Sequence, residues 1–330
     1  MKHGHYARLR ALSNAALVAG AIAAAALPLQ APAQNFPTKT VTIVVGFAPG
    51  GPLDWMARVM QPKLSDKWGQ PVVVENRPGA GGQIAVQMVQ KAPPDGHILT
   101  PHTQQVALIP LFSKQADIEP GRNLQPLGTV FFTPYLIVQS GALPTKTLRE
   151  FIAYAKANPG KLNNSLATNT GQYLDGLAFA KAAGIELAPI AYGGGAGVLQ
   201  AVASNEAQIG LTTGGTAGFI KAGKMVPLAV TSAARFSNYP DVPTVKEAAG
   251  FDFVATVDFG YYTTQGTPTA VVDKLTRDIG QAMSTDDIKD AIRKQGFEPG
   301  LQTADQWLAK TQAELRKAKE IAAAAGITPQ

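Results

Sequence analysis

The chain has 330 residues, with 29 Lys and Arg against 23 Asp and Glu for a formal net charge of +6, and it contains no cysteine. The missing cysteines exclude disulfides, thiol nucleophiles and thiolate metal sites. The basic residues are scattered, with no dense run interleaved with aromatics, so the charge leaves no nucleic-acid footprint.

In chain order, the first segment places Lys2, Arg8 and Arg10 before a small, apolar, alanine-rich stretch, and Ala31 and Ala33 then form an Ala-x-Ala site. This reads as a secretory signal peptide over 1–33, cleaved after Ala33. The alanine-rich core is weakly apolar for a membrane anchor, and no cysteine follows it to carry a lipid. The expected product is a soluble exported chain whose length suggests about two domains.

The β-branched run VTIVV at 41–45 reads as a strand. It hands over through the turn APGG to a helix at 54–68, where Met56, Met60 and Leu64 share one face. Pro62 is expected to bend this helix or end its first part. PVVVEN at 71–76 reads as a buried strand, 79–92 as a turn and helix, and GHILTPH at 96–102 as another strand. The alternation predicts an α/β fold with mostly parallel sheets and helices on both faces. From about 137 the pattern restarts, with LIVQS strand-like, a helix at 147–160, SLATNTG (165–171) leading into 172–184, and further strands at 187–192, 207–213 and 226–232. After 255 come a strand-like FGYYTT at 259–264, a helix striped by Val272, Leu275, Ile279 and Met283, and a terminal helix near 303–326.

A turn such as APGG offers only main-chain donors. At a helix start, where the first amides lack partners and the dipole is positive, such a turn suits an anion. Comparable helix starts recur at SLATNTG (165–171), YGGGAG (192–197) and LTTGGTAG (211–218). Spread over two chain halves, they suggest two lobes facing a shared cleft, although each alone is compatible with simple capping. Readings as an enzyme fare poorly. Only His97 and His102 remain after the signal segment, no Gly-x-Ser-x-Gly elbow is present, and no metal-ligand set can be placed. GFIKAGKM at 218–225 fails as a phosphate loop because Met225 stands where a hydroxyl is needed, and GAGGQI fails the dinucleotide fingerprint at Ile84.

FAPGGPLDWMAR, VVVENRPGAGGQIA, APPDGHIL, ANPGKLN, IAYGGGAG, the stretch 217–250 and GTP at 266–268 occur in this order. In this the chain resembles the Bug-type periplasmic solute receptors of tripartite tricarboxylate transporters, over essentially all of 34–330. The resemblance implies a two-lobed periplasmic binding protein, with lobe 1 from 34–136 plus 256–330 and lobe 2 from 137–255, hinged near 135–140 and 252–258. It implies a small carboxylate held by Phe47, Ala48, Pro49, Gly50, Gly51 and Asp54 from one lobe. From the other lobe it implies Ser165, Thr168, Asn169, Thr170, Tyr192, Gly193, Gly194 and Thr213. It further implies a monomer without enzymatic activity, metal or cofactor, located in the periplasm and partnered by membrane transporter subunits. A ligand-reporting adaptor for a membrane sensor kinase is the alternative, and an exported hydrolase a weaker one. The chain departs from the family pattern at Ala167, Asn169 and Tyr173, where glycines and a histidine are usual, and at Gly193, where a lysine is usual. Thr212 and Thr213 stand where an aspartate is common. Phe131, Phe132, Phe259, Tyr261 and Tyr262 are candidate neighbours of an aromatic acid, or core packing.

Overall fold

Residues 36–329 are described by the computed structural model, so the expected signal segment 1–33 lies outside them. The β-branched run forms β1 (Val41–Val45), almost wholly buried, and it pairs in parallel with β2 (Val72–Asn76) and β3 (Ile98–Thr103). Helix α1 (Pro52–Trp68) runs on through Pro62, which therefore does not end its first part. Arg58 and Pro62 both lie on the exposed face, away from the buried Met56, Met60 and Leu64. Then follow α2 (Gln83–Gln90), a 3-10 segment (Gln104–Leu111), β4 (Gln125–Pro134) and, after the single residue Tyr135, β5 (Leu136–Ser140).

From β5 the chain builds a second sheet. It comprises β6 (Asn163–Ala167), β7 (Ala188–Tyr192), β8 (Ile209–Thr212) and β9 (Met225–Val230), with α3 (Leu148–Ala157), α4 (Gly171–Ala183), α5 (Gly195–Ala203), α6 (Ala217–Lys221) and α7 (Val245–Ala249). The chain then returns through β10 (Thr256–Thr263) and ends with α8 (Thr269–Met283), α9 (Asp286–Lys294), β11 (Glu298–Pro299) and α10 (Ala304–Ala324). The strand orders are β11-β4-β10-β3-β1-β2 in one sheet and β7-β6-β8-β5-β9 in the other. The class is α/β and two-lobed, with both sheets in the compact unit that begins at Pro37.

The sheets are mixed, which corrects the expectation that they are mostly parallel. β10 runs antiparallel to both β3 and β4, and β5 antiparallel to both β8 and β9. Parallel neighbours need a crossover packed on the same sheet. β5 and β10 are instead reached by chain passing from one sheet to the other, and nothing holds them parallel.

β10 fits only because it carries a glycine. A Cβ on Gly260 would lie 2.2 Å from the Gly128 carbonyl oxygen and 2.7 Å from the Trp307 ring, so strand, strand and α10 meet at one point. The sheet crossing is tied by a buried threonine. Thr231 Oγ1 accepts from the Tyr135 amide at 2.9 Å and donates to the Ala255 carbonyl, while the Thr231 amide donates to the Tyr135 carbonyl at 2.9 Å. A third link is apolar: Leu174 of α4 packs with Leu108 and with Ala318 and Ala322 of α10. No helix among the described residues is long and apolar enough to cross a membrane.

Candidate functional site

Two abutting cavities of about 660 and 750 Å³ lie between the sheets and share Pro52, Gln105, Thr170 and Phe259 in their walls. Pro52 opens α1 and Thr170 caps α4, so helices from both halves of the molecule point their positive ends into one space.

The helices divide into those with a side-chain cap and those without. Helices α3, α7 and α10 begin with complete capping boxes at Thr147, Thr244 and Thr303. At α1 and α4 no side chain caps the first amides, and α5, whose first residue Gly195 lines the larger cavity, is the same. Helices α2, α6, α8 and α9 also lack a side-chain cap. What marks α1 and α4 is that they reach both cavities, through Pro52 and Thr170, whereas α2 opens only on the smaller through Gln83, and α5 and α6 only on the larger through Gly195 and Ala217.

Of the residues expected in the first lobe, Phe47 and Gly51 line the smaller cavity. Ala48, Pro49 and Gly50 form the exposed outer part of the turn and line neither cavity. Asp54 is buried beneath the turn and acts through it. Its carboxylate accepts from the Gly50 amide at 2.9 Å, from Arg58 Nε at 3.0 Å and from Asn76 Nδ2 at 2.8 Å. Burial pushes this carboxyl up, but the bonds from Arg58, Gly50 and Asn76 together outweigh it and hold it below the usual carboxylate range. Asp54 therefore shapes the turn, and the Gly50 amide is already spent on it.

From the second lobe, Asn169 and Thr170 line the smaller cavity, and Thr170 and Thr213 the larger one. Asn169 sits in the left-handed region at φ 57°, which a short polar side chain tolerates, and so the loop can turn into α4 without the usual glycine. The Thr170 hydroxyl donates to the Ala167 carbonyl at 2.8 Å, which leaves it only acceptor capacity toward a ligand. Ser165 is fully buried with its hydroxyl donated to the Ile209 carbonyl, and it lies outside both cavity walls. The Thr168 amide and hydroxyl both donate to the Tyr192 carbonyl, which also accepts from the Gly194 amide. These contacts tie the loop at 168–170 to the glycine turn. Tyr192 turns its hydroxyl away, donating to Glu206 at 3.0 Å, and with Gly193 and Gly194 it stands outside the cavity walls.

Three residues of the cleft carry no motif in the sequence. Gln172 bridges strands, its Oε1 accepting from the Ala167 amide and its Nε2 donating to the Leu211 carbonyl at 2.9 Å. Gln105 lines both cavities and donates to the Tyr135 hydroxyl at 2.9 Å. His102 forms part of the wall with both ring nitrogens engaged. Nδ1 accepts from the Thr103 amide at 2.9 Å, which puts the ring proton on Nε2, 3.3 Å from the Gly81 carbonyl oxygen. Burial depresses its pKa to about 4, so the ring is neutral near pH 7. Among the described residues no group of three or more His, Cys, Asp and Glu side chains is placed to hold a metal ion. Of the aromatic candidates, Phe259 reaches the cleft, while Phe131, Tyr261 and Tyr262 are core. Phe132 faces neither cavity.

Known proteins share this architecture. Residues 56–327 match the family model described as "Tripartite tricarboxylate transporter family receptor". A Cupriavidus necator protein described as "UPF0065 protein in gbd 5'region" is 31% identical over 318 residues, covering 96% of this chain and 97% of that one. A solved R. palustris protein with adipate is 27% identical with a TM-score of 0.71, covering 89% of this chain and 100% of that one. MatC from Rhodopseudomonas palustris with bound malate is 26% identical with a TM-score of 0.67, covering 87% and 99%.

Proposed function

Because the chain belongs to the tripartite tricarboxylate transporter receptor family, we propose that it is a periplasmic receptor that captures a small organic carboxylate between its lobes and delivers it to a tripartite membrane transporter. The observation that carries this reading is the pair of side-chain-uncapped helix starts, α1 and α4, opening from opposite lobes on one cavity. Amides of these helix starts that no side chain caps, at the positive ends of two dipoles, would share the two oxygens of a carboxylate. Asp54 on one side and the Thr168–Tyr192 tie on the other preset the turns, and little ordering is left for the ligand to impose. The ligand favours the closed arrangement to the extent that it touches both lobes. The receptors solved with adipate and with malate are relatives that carry carboxylic acids.

The receptor performs no chemistry on its cargo. In support of this reading, His102 of the cavity wall is neutral and has both ring nitrogens engaged with backbone groups, so it is not poised as a base. A thermal-shift screen of the purified protein against carboxylic acids and their methyl esters tests the proposal. At a ligand concentration of a hundred times Kd, an acid bound only by the native state stabilises it by about 2.7 kcal/mol. Concentration-dependent shifts with acids but not with esters are expected. Equal shifts with the esters, or none with any acid, would sink the reading.

A further inference from the structure

We infer that the acid taken by this cleft is a monocarboxylate with a bulky apolar or aromatic body, seated against the wall formed by the 3-10 segment and the Phe47–His102 pair. The inference rests on the carboxylate-receptor reading and refines it. Its first support is the charge inventory. Among the described residues lining either cavity there is no Asp, Glu, Lys or Arg. The nearby cations are engaged elsewhere: Arg58 is bound to Asp54 and Asn76, and Lys310 to Asp258 and Thr256. One carboxylate can be met by the two helix starts. A second or third would leave water without an ionic partner, which is costly unless donors replace every lost bond.

The second support is the wall itself. Leu108, Ile109, Phe112 and Phe259 all line the smaller cavity. Phe259 is held rigid, stacked on Phe131 with ring centroids 4.6 Å apart. Phe47 and His102 line the same cavity and meet edge to face at 5.6 Å. Gly82 makes that pair possible, since a Cβ there would lie 2.7 Å from His102 Nε2 and 2.9 Å from Phe47 Cε2. A ring or branched chain would cover this surface and release its water, whereas a short hydroxy acid would leave the wall wet and its own hydroxyls poorly paired.

Isothermal titration of the purified protein tests this with benzoate, 3-phenylpropionate, acetate, succinate, citrate and benzyl alcohol. One of the two aromatic acids should bind at least about tenfold tighter than acetate, succinate or citrate, as expected when several apolar carbons leave water. Benzyl alcohol should bind more weakly than benzoate. If succinate or citrate binds most tightly, the inference is overturned while the receptor reading stands. If no acid binds, or benzyl alcohol matches benzoate, the carboxylate-receptor reading falls and the inference with it. Ser113→Arg puts a cation on the lining of the same cavity at a residue whose main chain bonds to Ile109 and Ala116. It should shift the affinity ratio of adipate over benzoate upward by about tenfold. An unchanged ratio would show that this wall does not face the ligand body and would overturn the inference.

Discussion

At single residues, the cleft separates groups that would meet a ligand from groups that hold them. Gly51 is the clearest of the first kind. It lies in extended backbone at φ −79° and ψ 171°, where any residue fits, and a Cβ there would meet only the Ala48 carbonyl oxygen, at 3.8 Å. Gly51→Val should therefore fold with an unchanged melting temperature while its side chain occupies the cavity. Titration should show at least about a tenfold loss of affinity for the acid that the wild type prefers, as expected when a ligand must surrender its contacts with one helix start. Unchanged binding would place the ligand away from α1. Asp54 and Thr168 are of the second kind. The sequence suggested their position near the site, since both sit in helix-start motifs, but not their role. Whether a carboxylate faces the ligand or braces the turn from below depends on where Arg58 and Asn76 lie, and these are four and 22 residues away in the chain.

Elements were legible where periodicity was strong. β1, β2 and α1 follow from the β-branched runs and the Met56, Met60, Leu64 face, all three of which are fully buried. β4 gave no such signal, because Pro126, Gly128 and Pro134 interrupt it, and it holds its place through β10 and α10 rather than through its own pattern. The 3-10 segment at 104–111 was equally silent, although it supplies much of the apolar wall. The crossing between sheets depends on another residue without a motif, Thr231. Thr231→Val would keep the shape but leave the buried Tyr135 amide and Ala255 carbonyl each short of a partner. A loss of about 1–3 kcal/mol in urea denaturation is expected, typical of an orphaned buried polar group. No loss would mean that the strands are held by their main-chain bonds alone.

Across the whole molecule, the α/β class and the two lobes were readable from alternation and restart, while strand direction was not, since it depends on which sheet the chain returns to. The interface of α4 with α10 also carries a group of ionisable residues. Burial pushes Asp175 of α4 up to about 7, against the pull of Tyr135 and Lys310. Burial likewise pushes Glu314 of α10 up to about 7, with Lys310 lowering it and Asp258 and Asp175 raising it further. Facing groups are the Tyr135 hydroxyl, held far above its ordinary range by burial and by Asp175, and the Lys310 ammonium bound to Asp258. Between pH 4 and 7 the unfolded chain releases protons from Asp175 and Glu314 that the folded chain retains. Their contribution therefore makes stability fall as pH rises through that window and leaves it low above pH 7. Asp175→Asn removes one such group, so its melting temperature relative to wild type should rise by a few degrees between pH 5 and pH 8. A difference independent of pH would show that Asp175 ionises normally in the folded protein.

β10 sits in the middle of its sheet, hydrogen-bonded to β3 on one side and β4 on the other, although it is encoded more than 120 residues after β4 ends. A nascent chain emerging from its N-terminus would thus expose two half-sheets with unpaired inner edges until residues 256–263 arrive to fill the gap. Sequence-distant pairing of this kind slows folding and leaves strand edges open to other chains. Truncation shortly after the second sheet would consequently yield an aggregating product, not a smaller working lobe.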